Sequence, residues 1–155
     1  MKKIILGFVI LVFAFSFSCN NSGEKKNGKT NEKTKTRADS LMDDVMEGHN
    51  AGMGKMGKLS TMQNKVKQAI DSINKLPGKI KMTATDYKAS LDALLTELMS
   101  AEEGMNKWMD EFNMDSAQNN LDQRIQYLES EKIKVTKVKE SMLNALHKAD
   151  SLLKH

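Results

Sequence analysis

Met46, His49, Met53 and Met56 follow one another at steps of 3, 4 and 3, so a helix places all four on one face. Thioether sulfur is a soft, uncharged ligand that suits monovalent copper, and a neutral imidazole can complete such a site. Met105, Met109 and Met114 recur later, together with Trp108, the only tryptophan. The candidate Cu(I) ligands are therefore Met46, His49, Met53, Met56, Met105 and Met109, with Met46, Met53 and Met109 leading beside His49. Two other readings compete. The foremost is that Met fills an imperfect core, because its flexible thioether adapts to irregular gaps. The other is a soft groove for a partner helix or peptide, a use that Met-rich surfaces serve. Zinc needs three or four His, Cys or carboxylate ligands brought together, and His49 has no His or Cys companion in reach.

Other chemistry is hard to place. No glycine-rich phosphate loop follows a strand pattern, and no elbow motif or triad order supports a hydrolase. Glu102-Glu103 and Asp110-Glu111 are sequence neighbours, so on a helix they point to different sides and suit a solvated face. The expectation is a protein that is not an enzyme.

The elements that would position the Met/His cluster are helices. Thr36 with Asp39 reads as a capping box, opening a first helix to about Leu76, where Pro77-Gly78 ends it. Its stripe is Leu41, Val45, His49, Met53, Met56, Leu59, Val66, Ile70 and Ile73. Thr83 with Asp86 opens a second helix. There Tyr87, Leu91, Leu94, Leu98, Ala101, Met105, Trp108 and Phe112 alternate steps of 4 and 3, a heptad seam expected of left-handed helix packing. Asp115 or Ser116 caps a third helix with Leu121, Ile125, Leu128, Val135, Val138, Met142, Ala145 (or Leu146), Ala149 and Leu152, and with Lys132 where a core residue is expected.

Short connections make consecutive helices antiparallel. The expected fold is all-α, a three-helix up-down-up antiparallel bundle with coiled-coil-like packing. A turn near residue 80 would set Met105 against Met56, and Met109 and Phe112 against Met53 and His49. The next turn would place Trp108 near Asn120. Six methionines (46, 53, 56, 105, 109 and 114) would then gather at one end. Gly48, Gly52, Gly54 and Gly57 interrupt the first helix, each at about 1 kcal/mol relative to Ala. Either another backbone comes close there, or the helix frays and the ordered domain begins near Leu59.

The amino terminus carries an address. Met1-Lys2-Lys3 precedes fourteen largely apolar residues, Ile4 to Phe17, and Cys19 follows. That is the layout of an export signal, and the apolar run falls short of the roughly 20 residues of a spanning helix. It resembles a bacterial lipoprotein signal, which implies that Cys19 is acylated as the first mature residue. Cleavage without lipid, or an uncleaved anchor, is the alternative. Residues 1–18 are then the signal peptide, 19–37 the lipidated Cys and a flexible basic tether, and 38–155 the helical bundle. Cys19 is the only cysteine, so no disulfide framework is available. Asn20 to Thr36 lacks apolar residues, cannot bury enough to order itself, and would span roughly 20–25 Å as a coil.

Tyr127-Leu-Glu-Ser-Glu-Lys-Ile-Lys-Val-Thr-Lys-Val-Lys-Glu-Ser-Met142 and on to Leu153, the Met/His run from Met42 to Met56, and Trp108-Met109 resemble a family of small bacterial envelope lipoproteins. These often carry the label "viral A-type inclusion protein". The resemblance covers most of residues 38–155 and implies a helical, coiled-coil-like domain without naming a mechanism.

Charge separates along the chain. Of the formal +4, the stretch from Asn20 to Arg37 holds six basic residues against two acidic, and Ala38 to His155 holds 16 against 18. A nucleic-acid module would concentrate basic residues on its folded face, so nucleic acid is not an expected partner. The expected partners are the membrane, through lipid on Cys19, and a second copy or another envelope protein. The expected location is the envelope of a Gram-negative-type bacterium, on its inner or outer membrane. The expected role is a helical interaction or scaffold module, with Cu(I) binding as the alternative.

Overall fold

The computed structural model describes residues 35–154. The signal segment 1–18, Cys19 and the tether up to residue 34 lie outside the described residues. Four helices make up the rest: α1 (Arg37–Asn74), α2 (Gly78–Thr83), α3 (Thr85–Glu111) and α4 (Leu121–Leu152). The protein is all-α, and α1, α3 and α4 each pack on the other two. Among the described residues, no helix is long and apolar enough to cross a membrane.

Helix starts follow local side-chain chemistry, and two differ from expectation. Thr36 and Asp39 form the reciprocal capping box of α1. Thr83 does not cap the next helix. Residues Gly78–Thr83 form the short α2 instead, and the hydroxyls of Thr83 and Thr85 donate backwards to the Ile80 and Met82 carbonyls, at 2.7 and 2.9 Å. The N-cap position of α3 falls on Ala84, which has no side-chain oxygen, so α3 begins with no side-chain cap. Asp115 and Ser116 do not open the last helix either. Asn113 Oδ1 accepts from the Asp115 N–H at 2.9 Å, an Asx-type turn that diverts the chain from helix, and Ala117 turns it further with φ 57°. The cap is Asn120, whose side chain accepts from the Gln123 N–H at 3.1 Å.

The seam of α3 is the inner wall of the molecule. Leu91, Leu94, Leu98, Ala101, Met105 and Trp108 are all buried. A matching seam runs down α1 at alternating steps through Val45, His49, Gly52, Met56, Leu59, Gln63, Val66, Ile70 and Ile73. Gly52 and Gln63 occupy two of its inward positions, which hides the repeat from a search for apolar residues. Gln63 is satisfied inside the bundle, donating to Glu102 Oε2 at 2.6 Å. On α4 the inward residue is Glu131 and not Lys132. Lys132 is exposed and pairs with Asp44 at 2.7 Å, whereas Glu131 is 3% exposed. One residue of rotation separates the two, and Glu131 continues the alternation of Leu128, Val135, Val138 and Met142.

Contacts between helices order the chain. Arg37 pairs with Glu129, Asp44 with Lys132 and Lys58 with Asp150, a separation that stays between 88 and 92 residues along α1 and α4. On α1 and α3 the order reverses, His49 meeting Met109 and Gln63 meeting Glu102. It reverses again on α3 and α4, where Tyr87 reaches Leu152, Glu97 reaches Lys148 and Trp108 reaches Glu131. Trp108 therefore lies beside Glu131 and not Asn120, because α4 begins later than expected.

The glycine stretch is helical throughout, so α1 does not fray. Gly48 and Gly52 are buried. A Cβ on residue 48 would stand 2.9 Å from Val135 Cγ1, and one on residue 52 would collide with the Met105 methyl. Two of the four glycines thus permit close approach of α3 and α4. Gly54 and Gly57 face open space.

Candidate functional site

At the end of the bundle where α1 begins and α3 stops, Met46, His49, Trp108, Met109, Phe112 and Met114 wall a small cavity of about 90 Å³. α1 supplies Met46 and His49 one turn apart, and α3 supplies Trp108 and Met109. Phe112 is the C-cap residue of α3, and Met114 sits on the connection beyond it. That connection is held down: the Asn113 N–H donates to the Tyr127 hydroxyl at 2.7 Å, and the Phe112 and Tyr127 rings stack with centroids 6.2 Å apart.

His49 is the centre of the site. Its Nε2 lies 3.3 Å from Met109 Sδ, and its Nδ1 lies 3.1 Å from Asn50 Oδ1. The two contacts orient the ring from both nitrogens: the Nδ1–H tautomer donates to Asn50 and leaves Nε2 free as a ligand, and the Nε2–H tautomer donates to the thioether. The Trp108 ring stands 5.7 Å from the imidazole, centroid to centroid, and stacks on Phe112 at 4.8 Å. Trp108 is oriented from its far edge, where Nε1 donates to Glu131 Oε2 at 3.0 Å. Lys134 donates to the other oxygen at 2.7 Å and is itself held above the ordinary lysine value by that bond.

The structure separates the six candidate ligands. Met46, His49 and Met109 come together here. Met53 is 38% exposed on the outer side of α1, since Gly52 takes the inward position. Met56 is half-buried against the core, and Met105 is fully buried, its methyl against Gly52. Met56 and Met105 thus do the work of core filler. Met114 and Phe112 complete the wall. Neither lies on the α1 stripe, and only the fold of the 112–120 connection brings Met114 in. Cys19 lies outside the described residues. Among those described, no three His, Cys, Asp or Glu side chains gather to hold a metal ion.

A second feature is the outer junction of α3 and α4. Two adjoining grooves of about 550 and 490 Å³ lie along it, and both are bordered by Glu97 and Lys148. Lys148 spans the junction and donates to both Glu97 oxygens at 2.7 and 2.8 Å. Small side chains, Ser90, Ala93, Ser100 and Ser141, keep the grooves open. In comparisons with protein-family models, curated proteins and solved structures, nothing matches this chain.

Proposed function

We propose that this chain is an exported, lipid-anchored module of the bacterial cell envelope that acts by binding, as an interaction or scaffold protein, and not by catalysis. Its bundle is read as three long helices running up, down and up, with α2 as part of the first turn. The near-constant α1–α4 separation and the two reversed orders support that topology.

The observation that carries the functional reading is the grooved α3–α4 surface. The heptad seam of α3 is consumed within the chain, so a partner must meet another face. The junction of α3 and α4 offers length, small side chains and charges of both signs at Glu97, Lys137, Glu140 and Lys148. A groove of that kind fits an amphipathic helix, from an envelope protein or from a second copy of the chain.

A photo-crosslinking residue at Ser100 of the full-length protein, in its native membrane, tests this. A discrete adduct that disappears with Ala93→Lys supports the reading, and its mass separates a second copy from another protein. No adduct, or a smear indifferent to Ala93→Lys, sinks it. Anchoring is tested separately: labelled fatty acid should enter the wild-type protein and be absent from Cys19→Ala.

A further inference from the structure

We infer that Met46, His49, Met109 and Met114 form a site for one soft monovalent metal ion, Cu(I) by preference, at the end of the bundle remote from the grooved surface's centre. The proposal is independent of the scaffold reading and rests on three features of the geometry.

The first is the pair His49 Nε2 and Met109 Sδ at 3.3 Å. Bonds of about 2.0 Å to imidazole nitrogen and about 2.3 Å to sulfur, the lengths that zinc makes to His and Cys, would let one ion of similar size touch both atoms where they stand. The angle at the ion is then about 100° by simple triangulation of those lengths, within the range of three- and four-coordinate sites. The second is the ring's other nitrogen: Nδ1 lies 3.1 Å from Asn50 Oδ1, a contact that the Nδ1–H tautomer satisfies, and that tautomer leaves Nε2 to bind a metal. The third is the donor set. Three thioethers and one imidazole are soft and uncharged, and Trp108 and Phe112 wall the cavity with aromatic rings. Taking a divalent ion from water into such a setting, without anionic ligands, is the costlier choice. The Trp108 ring closes the cavity beside the imidazole, 5.7 Å from it centroid to centroid, so its emission reports on an ion bound to His49. The ion enters already as Cu(I), and no electron is transferred.

The full-length protein in detergent, titrated anaerobically with Cu(I) in the presence of a colorimetric Cu(I) chelator, tests the site. The expected result is one Cu(I) retained per chain, with quenching of Trp108, whose emission is unambiguous because it is the only tryptophan. Ag(I) should do the same, and Zn(II) should do neither. His49→Leu and Met109→Leu should abolish retention, and Asn50→Ala, which removes the partner of Nδ1, should weaken it by about 10- to 100-fold. Met53→Leu and Met105→Leu should leave it unchanged, and circular dichroism should show every variant helical. No retention by the wild type, or retention undiminished in a folded His49→Leu/Met109→Leu double variant, overturns the proposal.

Discussion

Trp108 on α3 donates its indole N–H to Glu131 on α4 over 3.0 Å, and this bond joins the buried carboxylate of one helix to the aromatic wall of the cavity on another. Glu131 is 3% exposed and Trp108 is 4% exposed. A buried polar pair of this kind is expensive to break on one side only, because the survivor loses its partner and cannot recover water.

Glu131→Ala should therefore destabilise the bundle by about 1–3 kcal/mol, measured by urea unfolding. Glu131→Gln keeps an oxygen acceptor for the indole and loses the charge-assisted bond from Lys134, so its cost should stay below about 1.5 kcal/mol. Equal losses for the two variants would show that the hydrogen bond to Trp108 is unimportant.

The four glycines of α1 should divide into pairs. Gly54→Ala and Gly57→Ala meet nothing within 4 Å, so each should stabilise by about 1 kcal/mol through helix propensity alone. Gly48→Ala meets Val135 Cγ1 at 2.9 Å, and a β-branched side chain has little rotamer freedom with which to retreat. Overpacking of about 1–3 kcal/mol then exceeds the propensity gain, and a net loss is expected. Gly52→Ala presses on the end of the flexible Met105 side chain and should fall between. Urea midpoints of the four variants check the order.

Two leucines that share the helical pattern should behave differently. Leu98 is fully buried, whereas Leu121 is 60% exposed. Leu98→Ala should cost about 2–5 kcal/mol through lost transfer energy and the cavity left behind. Leu121→Ala should stay within about 0.5 kcal/mol, as surface substitutions do. Thermal unfolding of the two variants is sufficient to compare them.

Asp150 gives a pH-dependent signature. Its hydrogen bond from Lys58, at 2.7 Å, holds its carboxyl below the usual aspartate value. A lowered folded-state value means the contribution is present above the ordinary Asp pKa of about 3.9 and is lost as pH falls through the lowered value. Solvent screening keeps the contribution small at this exposed pair. Carboxyl NMR should show Asp150 titrating lower in the wild type than in Lys58→Met, and identical curves would contradict the pairing.

Much of the fold was legible in residue order because helix periodicity and capping are local. Leu91, Leu94, Leu98, Ala101, Met105 and Trp108 repeat at heptad steps, and steric rules alone put them on one face. Thr36 and Asp39 are three residues apart, and no distant contact is needed to close their box. The approach of His49 to Met109 was also readable, since a short connection between two helices sets their register within a turn.

What sequence order could not decide was rotation and registry, because both depend on contacts between segments. Whether Glu131 or Lys132 faces inward differs by one residue of helix: the 3/4 alternation runs through Glu131, against the rule that a buried carboxylate is costly, and the Trp108 N–H that meets it offsets that cost. Gly52 took the inward position that Met53's apolar character suggested for Met53, since a backbone without Cβ lets Met105 and Met142 approach α1. Asp115, Ser116, Asn119 and Asn120 are all competent caps, and the choice of Asn120 follows from the Asn113 turn and the Tyr127 bond that pin the connection. The types of ligand available, sulfur and imidazole, were therefore determined by the sequence itself. Which of them share one cavity was decided by tertiary structure, because the packing of three helices and one connection selects Met46, His49, Met109 and Met114 and leaves Met53, Met56 and Met105 elsewhere.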